Sequence, residues 1–261
     1  MYSRPTAPKS VSGVLDDVFK LYGAALPVSW RLALVGALLS AIPGFYLESS
    51  IAGGDAEQML EALKSPVLWL TYLVLIAVSM IFFVGLIARV NQVAEGADGS
   101  FAQAVNRGFS LLPRSLGASL LYFLAVVGGM ILLVVPGLIW SVSLLLYLPL
   151  LVTEDIGARA ALSRSRQLVK GSWWRTAAVF TIALVIAGVL AGAVGLVSGL
   201  IAGVTSADRA VFAVVNNLVT AVVNLFITPL YVALLLSVYY DLKLRKEGGD
   251  LADRVAALRK A

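Results

Sequence analysis

Four polar residues, Asn217, Thr220, Asn224 and Thr228, recur at helical spacing inside a charge-free block, residues 210–240. Amides and hydroxyls of this kind bind neutral polar groups and are costly when left unpaired in hydrocarbon. Such a stripe must therefore face a polar pocket, a solute path or a neighbouring helix. A second set is cationic: Arg159, Arg164, Arg166, Lys170 and Arg175 lie close together in the chain, a density suited to anionic lipid headgroups at on the order of 1 kcal/mol per cation. Catalytic groups are scarce. The 261 residues include no histidine and no cysteine, which removes imidazole bases, thiolate nucleophiles, disulfides and the commonest zinc ligands. The adjacent acids Asp16–Asp17 and Glu154–Asp155 point in different directions on a helix and make poor shared-proton pairs. Glu57 and Glu61, at i, i+4, read as a solvated surface pair. There is no G-x-S-x-G, P-loop or H-E-x-x-H pattern. The expectation is a protein with no catalytic residue, no cofactor and no metal, and hence not an enzyme.

The elements that must position these residues are membrane spans. Hydrophobic residues make up 60% of the chain and charged ones 13%, where a soluble domain carries about 25% charge. Mean hydropathy is +0.92. The apolar residues fall in six charge-free blocks, which predict spans at about 25–47, 66–88, 115–135, 137–153, 176–204 and 210–240, followed by a tail over 241–261. The predicted fold is all-α, a single integral membrane domain over 1–261. Its six transmembrane helices form three hairpins, each preceded by an interfacial amphipathic helix. Those helices are expected around Val11–Tyr22, from the S-x-x-Q capping box at Ser100–Gln103 to Leu112, and over Ala158–Lys170. They either lie in the headgroup layer or pack as connecting helices on the bundle. Pro136-Gly137 marks a tight turn between spans three and four, and Pro229 a break in span six. Gly188, Gly192, Gly195, Gly199 and Gly203 give span five a small-residue face for helix packing within the chain or, less simply, for a dimer.

Charge position sets the orientation. With the N-terminus inside, 18 of the 20 cations fall on inside segments, giving a net charge of +8 inside and −3 outside. This excess predicts cytoplasmic termini and explains the basic balance without a nucleic-acid partner. No apolar core with a cleavage site precedes the first span, so that span is expected to serve as its own insertion signal.

Three stretches carry a resemblance: SVSGVLDDVFKLYG (Ser10 to Gly23), VVPGLIW with ALSRSRQLVKGSWWR (within Val134 to Arg175) and YYDLKLRKEGGDL (Tyr239 to Leu251). In order and spacing they resemble the bacterial integral membrane family related to the membrane domain of glycerophosphoryl diester phosphodiesterase. The resemblance implies a six-helix protein of the bacterial cytoplasmic (inner) membrane. It does not imply phosphodiesterase activity, which in fused members belongs to a separate soluble barrel using histidines. The expected function is to organise or sense lipid, anionic phospholipid included, or to anchor a protein partner or a second copy at the cytoplasmic face. The alternative is a small permease or flippase component whose path follows the polar stripe of span six. Asp241 is expected to pair with Arg164, Arg166 or Arg175.

Overall fold

The computed structural model describes residues 2–51, 60, 63–205 and 209–258, and among these every regular element is an α-helix. They are α1 (Val11–Ile51), α2 (Pro66–Ala94), α3 (Phe101–Leu132), α4 (Val134–Ser143), α5 (Tyr147–Thr153), α6 (Ala158–Val169), α7 (Trp173–Thr205) and α8 (Arg209–Leu258). Six segments are long and apolar enough to cross a membrane, with α4 and α5 counted together as Val134–Thr153. The protein is a multi-pass membrane protein. Glu57 and Glu61 lie outside the described residues.

Burial is concentrated at one end. On α2 every residue from Val84 to Asn91 is buried, and on α8 every residue from Val232 to Leu242. The opposite halves turn large apolar side chains outward: Leu70, Leu73 and Ile76 on α2, Leu184 and Val189 on α7. Helices apolar on their outer surface are stable only in lipid, where every backbone group is satisfied within the helix. The packed end also holds Lys9 near the N-terminus and Asp241 near the C-terminus, in contact with each other. It is called the charged end below, and the opposite end the far end.

The segments differ from the sequence expectation in four places. The first two amphipathic stretches are not separate helices. They form the first turns of α1 and α3, the latter opened by the reciprocal Ser100–Gln103 capping box, because an amphipathic segment and an apolar span share one helical period and each helix runs on through the proline at the junction, Pro27 in α1 and Pro113 in α3. Only the third stands apart, as α6. The turn between spans three and four is at Leu133, which is extended (φ −164°, ψ 141°), and Pro136 sits in the first turn of α4, where its missing N–H leaves no helical bond unmade. Gly129 and Gly137 then make the close approach: a Cβ on Gly129 would come within 2.9 Å of the Gly137 Cα. Pro229 does not break span six; α8 runs through it, and the tail continues the same helix to Leu258. Among the described residues nothing packs on four of the span-five glycines: a Cβ at Gly188, Gly192, Gly195 or Gly199 would meet nothing within 4 Å. The surroundings of Gly203 are not described.

The break between α4 and α5 is repaired from α6. Ser165, fully buried, donates its hydroxyl to the Ser143 carbonyl (2.9 Å) and accepts from the Leu146 N–H (3.1 Å). One side chain thus satisfies the donor and acceptor that an interrupted helix leaves exposed. Replacing it by alanine orphans a buried N–H, which costs about 1–3 kcal/mol. Ser165→Ala should lower stability by that amount in a detergent unfolding titration, and Ser163→Ala, an exposed neighbour on the same helix, should not change it.

Candidate functional site

The charged end is built around three carboxylates. Asp241 on α8 is the most buried, its side chain 6% exposed. Its oxygens accept from the backbone N–H of Lys9 (2.9 Å), from Nη2 of Arg175 (3.1 Å) and from Nε of Arg245 (2.9 Å). Both arginines also donate to the Lys9 carbonyl. The Lys9 ammonium reaches Asp17 on α1 (2.7 Å). Of the three arginines expected as partners for Asp241, the structure selects Arg175, because α7 begins at Trp173 beside α8 while Arg164 is taken by other acids.

Glu154, just beyond α5, is the second carboxylate. It accepts from Lys243 (3.1 Å), the Tyr239 hydroxyl (3.1 Å) and Arg164 (3.4 Å), and Arg164 continues to Glu247. Burial pushes the Glu154 carboxyl up, but the hydrogen bond and charge of Lys243, the Tyr239 hydroxyl and Arg164 outweigh it and hold the group below the usual carboxylate range. Asp155 is the third, in the left-handed region (φ 49°), and bridges Arg107 (3.3 Å) and Arg114 (3.0 Å) of α3. Between these clusters the Tyr240 hydroxyl donates to Asn91 of α2 (2.6 Å), and Arg4 lies over the Tyr240 ring, 4.3 Å from its centroid. Carboxylates with their lone pairs committed to several cationic donors brace helices and leave little free to take a substrate proton.

The expected lipid contacts divide into two groups. Arg164 and Arg175 are engaged in the clusters above. Arg159, Arg166 and Lys170 are exposed and make no ion pair among the described residues. Their spacing of i, i+7 and i+11 puts them within about 40° of one another around the α6 axis. The buried face of α6 is Ala161, Ser165, Leu168 and Val169. Beyond the stripe Trp174 is 82% exposed, while its neighbour Trp173 donates its indole N–H to the Ile139 carbonyl (3.2 Å).

Along α8 the polar residues of span six also separate. Asn224 donates to Ser40 of α1 (3.3 Å), not to the glycine face of α7. Asn224 and Thr228 line a groove of about 510 Å³ between α1, α2 and α8, whereas Asn217 and Thr220 are not among its walls. Residues of α1 and α2 that complete it, such as Ser40 and Ser79, escape sequence reasoning because only the packing of three helices brings them together.

Residues 124–251 match the family model of the membrane domain of glycerophosphoryl diester phosphodiesterase. The matched segment contains Glu154, Arg164, Arg175, Asp241, Arg245 and Glu247, so most of the charged clusters fall inside it. Lys9 ahead of α1, Asp17 of α1, Asn91 of α2, and Arg107 and Arg114 of α3 precede it. No curated protein and no solved structure matches the chain.

Two outcomes follow. Asp241→Asn leaves Arg175 and Arg245 without a buried counter-charge, which should cost about 2–4 kcal/mol; a lower melting temperature in detergent and faster proteolysis of the segment after Asp241 would show it. For Glu154 the folded pKa lies below the unfolded one, so its contribution is complete above the usual glutamate range and is lost as pH falls through that range to the folded value. Melting temperature should drop on acidification through that range, and Glu154→Gln should reduce the drop while lowering stability at neutral pH.

Proposed function

We propose that the protein is a non-enzymatic inner-membrane protein that organises or senses lipid, with both termini cytoplasmic and α6 as its contact with anionic phospholipid. The observation that carries this reading is the stripe of Arg159, Arg166 and Lys170, exposed and without an ion pair among the described residues, while Arg164 and Arg175 are paired inside the protein. Exposed cations gain little from each other and much from a negatively charged headgroup layer. Exposed Trp174 next to them suits the interface, where an amphipathic ring is at home. Cytoplasmic termini follow from the excess of inside cations read from the sequence. The walls of the α1–α2–α8 groove leave out Asn217 and Thr220, an arrangement that suits a resident ligand more than a solute path along the whole of span six.

Purified protein in nanodiscs of mixed phosphatidylglycerol and phosphatidylcholine, released into native mass spectrometry, tests the reading. The protein should retain phosphatidylglycerol in preference. The variant with Arg159→Gln, Arg166→Gln and Lys170→Gln should retain at least about tenfold less, since each cation contributes on the order of 1 kcal/mol. Equal retention of both lipids, or no change in the variant, overturns it.

A further inference from the structure

The α1–α2–α8 groove lies in the apolar part of the protein, yet it collects hydrogen-bonding atoms that have no partner among the described residues. Asn224 spends one amide N–H on Ser40 (3.3 Å), and Ser40 in turn donates to the Ala37 carbonyl (2.8 Å). The Asn224 carbonyl oxygen and its second N–H have no partner among the described residues, and neither do the hydroxyls of Ser79 and Thr228, which face the same groove. Unpaired amides and hydroxyls at membrane depth are costly, and water is not available there to pair them. Among the described residues no Asp, Glu, Lys or Arg lines the groove, so a charged headgroup would find no counter-charge in this lining.

Ser40 and Asn224 sit toward the far end of the groove and Ser79 and Thr228 about midway, while Leu32, Phe83 and Leu86 lie toward the charged end, where Tyr231 is the one polar wall residue. From Ser40 to Leu32 is eight residues of α1, or about 12 Å at the rise of an α-helix. The volume of about 510 Å³ lies within the ~300–1,000 Å³ typical of small-molecule sites. Gly36 of α1 forms part of the wall, and a Cβ there would meet nothing within 4 Å. The absence of a side chain at that position keeps the groove open.

We infer that this groove holds a neutral acylglycerol, its tail along Leu32, Phe83 and Leu86 and its hydroxyl or ester groups at Asn224, Ser79 and Thr228. A neutral head matches a lining that is polar but uncharged. A lipid is the ligand that reaches a groove open among lipid-facing helices. The site is separate from the cationic stripe of α6, which takes charged headgroups, so either can fail without the other.

The test uses the full chain in phosphatidylcholine nanodiscs with a photoactivatable diacylglycerol, the crosslinked peptides being mapped by mass spectrometry. Crosslinks should concentrate in residues 32–40 of α1 and 72–86 of α2. Asn224→Leu should reduce them by about threefold or more, the equivalent of one membrane hydrogen bond. Gly36→Leu, which fills the groove with a side chain for which there is room, should reduce them at least as much, with thermal melting used to show that each variant is folded. Unlabelled diacylglycerol should compete, and the Arg159, Arg166, Lys170 variant should label normally. Crosslinks spread equally over the exposed face of α7 and unaffected by Gly36→Leu overturn the proposal. So does equal competition by phosphatidylglycerol, or a loss with Gly36→Leu that Asn224→Leu does not share, since either removes the neutral head from the assignment.

Discussion

The Asp241 carboxylate is shared by a backbone amide and an arginine on each of two helices, and the positions of the other elements follow from that sharing. Lys9 brings the N-terminal segment, Arg175 the start of α7, and Arg245 the next turn of α8. In lipid, apolar helices gain no hydrophobic energy by touching one another. What holds them in one arrangement is packing together with polar contacts that have no better partner elsewhere. A buried carboxylate whose donors come from three parts of the chain is such a contact, and removing the carboxylate leaves two arginines without their buried counter-charge. Glu154 repeats the device for α5, α6 and α8, and Asp155 for α3.

This bracing divides the molecule in two. At the charged end α2 and α8 are buried for turn after turn, and Ser165 closes the gap in the fourth span. Toward the far end the helices part, leaving α7 with open glycines and α1, α2 and α8 around a groove. Because α6 is pinned on its inner side by Ser165 and Arg164, its opposite side is presented in a fixed direction with Arg159, Arg166 and Lys170 in one line. The stripe on α6 and the groove between α1, α2 and α8 thus lie on opposite halves of one structure braced by clustered charges.

The number of candidate spans was legible because charge is sparse in them, and a 60% hydrophobic chain with so few charges makes those gaps plain. That Asp241 pairs with an arginine bordering a span on its own side was legible too, but the choice of Arg175 over Arg164 and Arg166 was not. The break at Ser143–Leu146 was not: its residues are apolar, and the serine that satisfies it lies some twenty positions away. Pro229 misled because the chain carries α8 through a proline without ending the helix. The glycines of span five signal that another helix has room to approach, a statement about space that says nothing about whether the chain fills it. Within the polar stripe of span six, helical period alone does not tell Asn224, on the groove, from Thr220, which is exposed.

The central claim is that Asp241 and Arg175 act as one unit holding the charged end together. A double-mutant cycle on the full chain in detergent measures this most directly, with Asp241→Asn, Arg175→Gln and the pair compared by equilibrium unfolding. A coupling energy of about 1–3 kcal/mol is the predicted result, with the double variant scarcely less stable than either single one. Additive losses, with coupling below about 0.5 kcal/mol, would contradict the account.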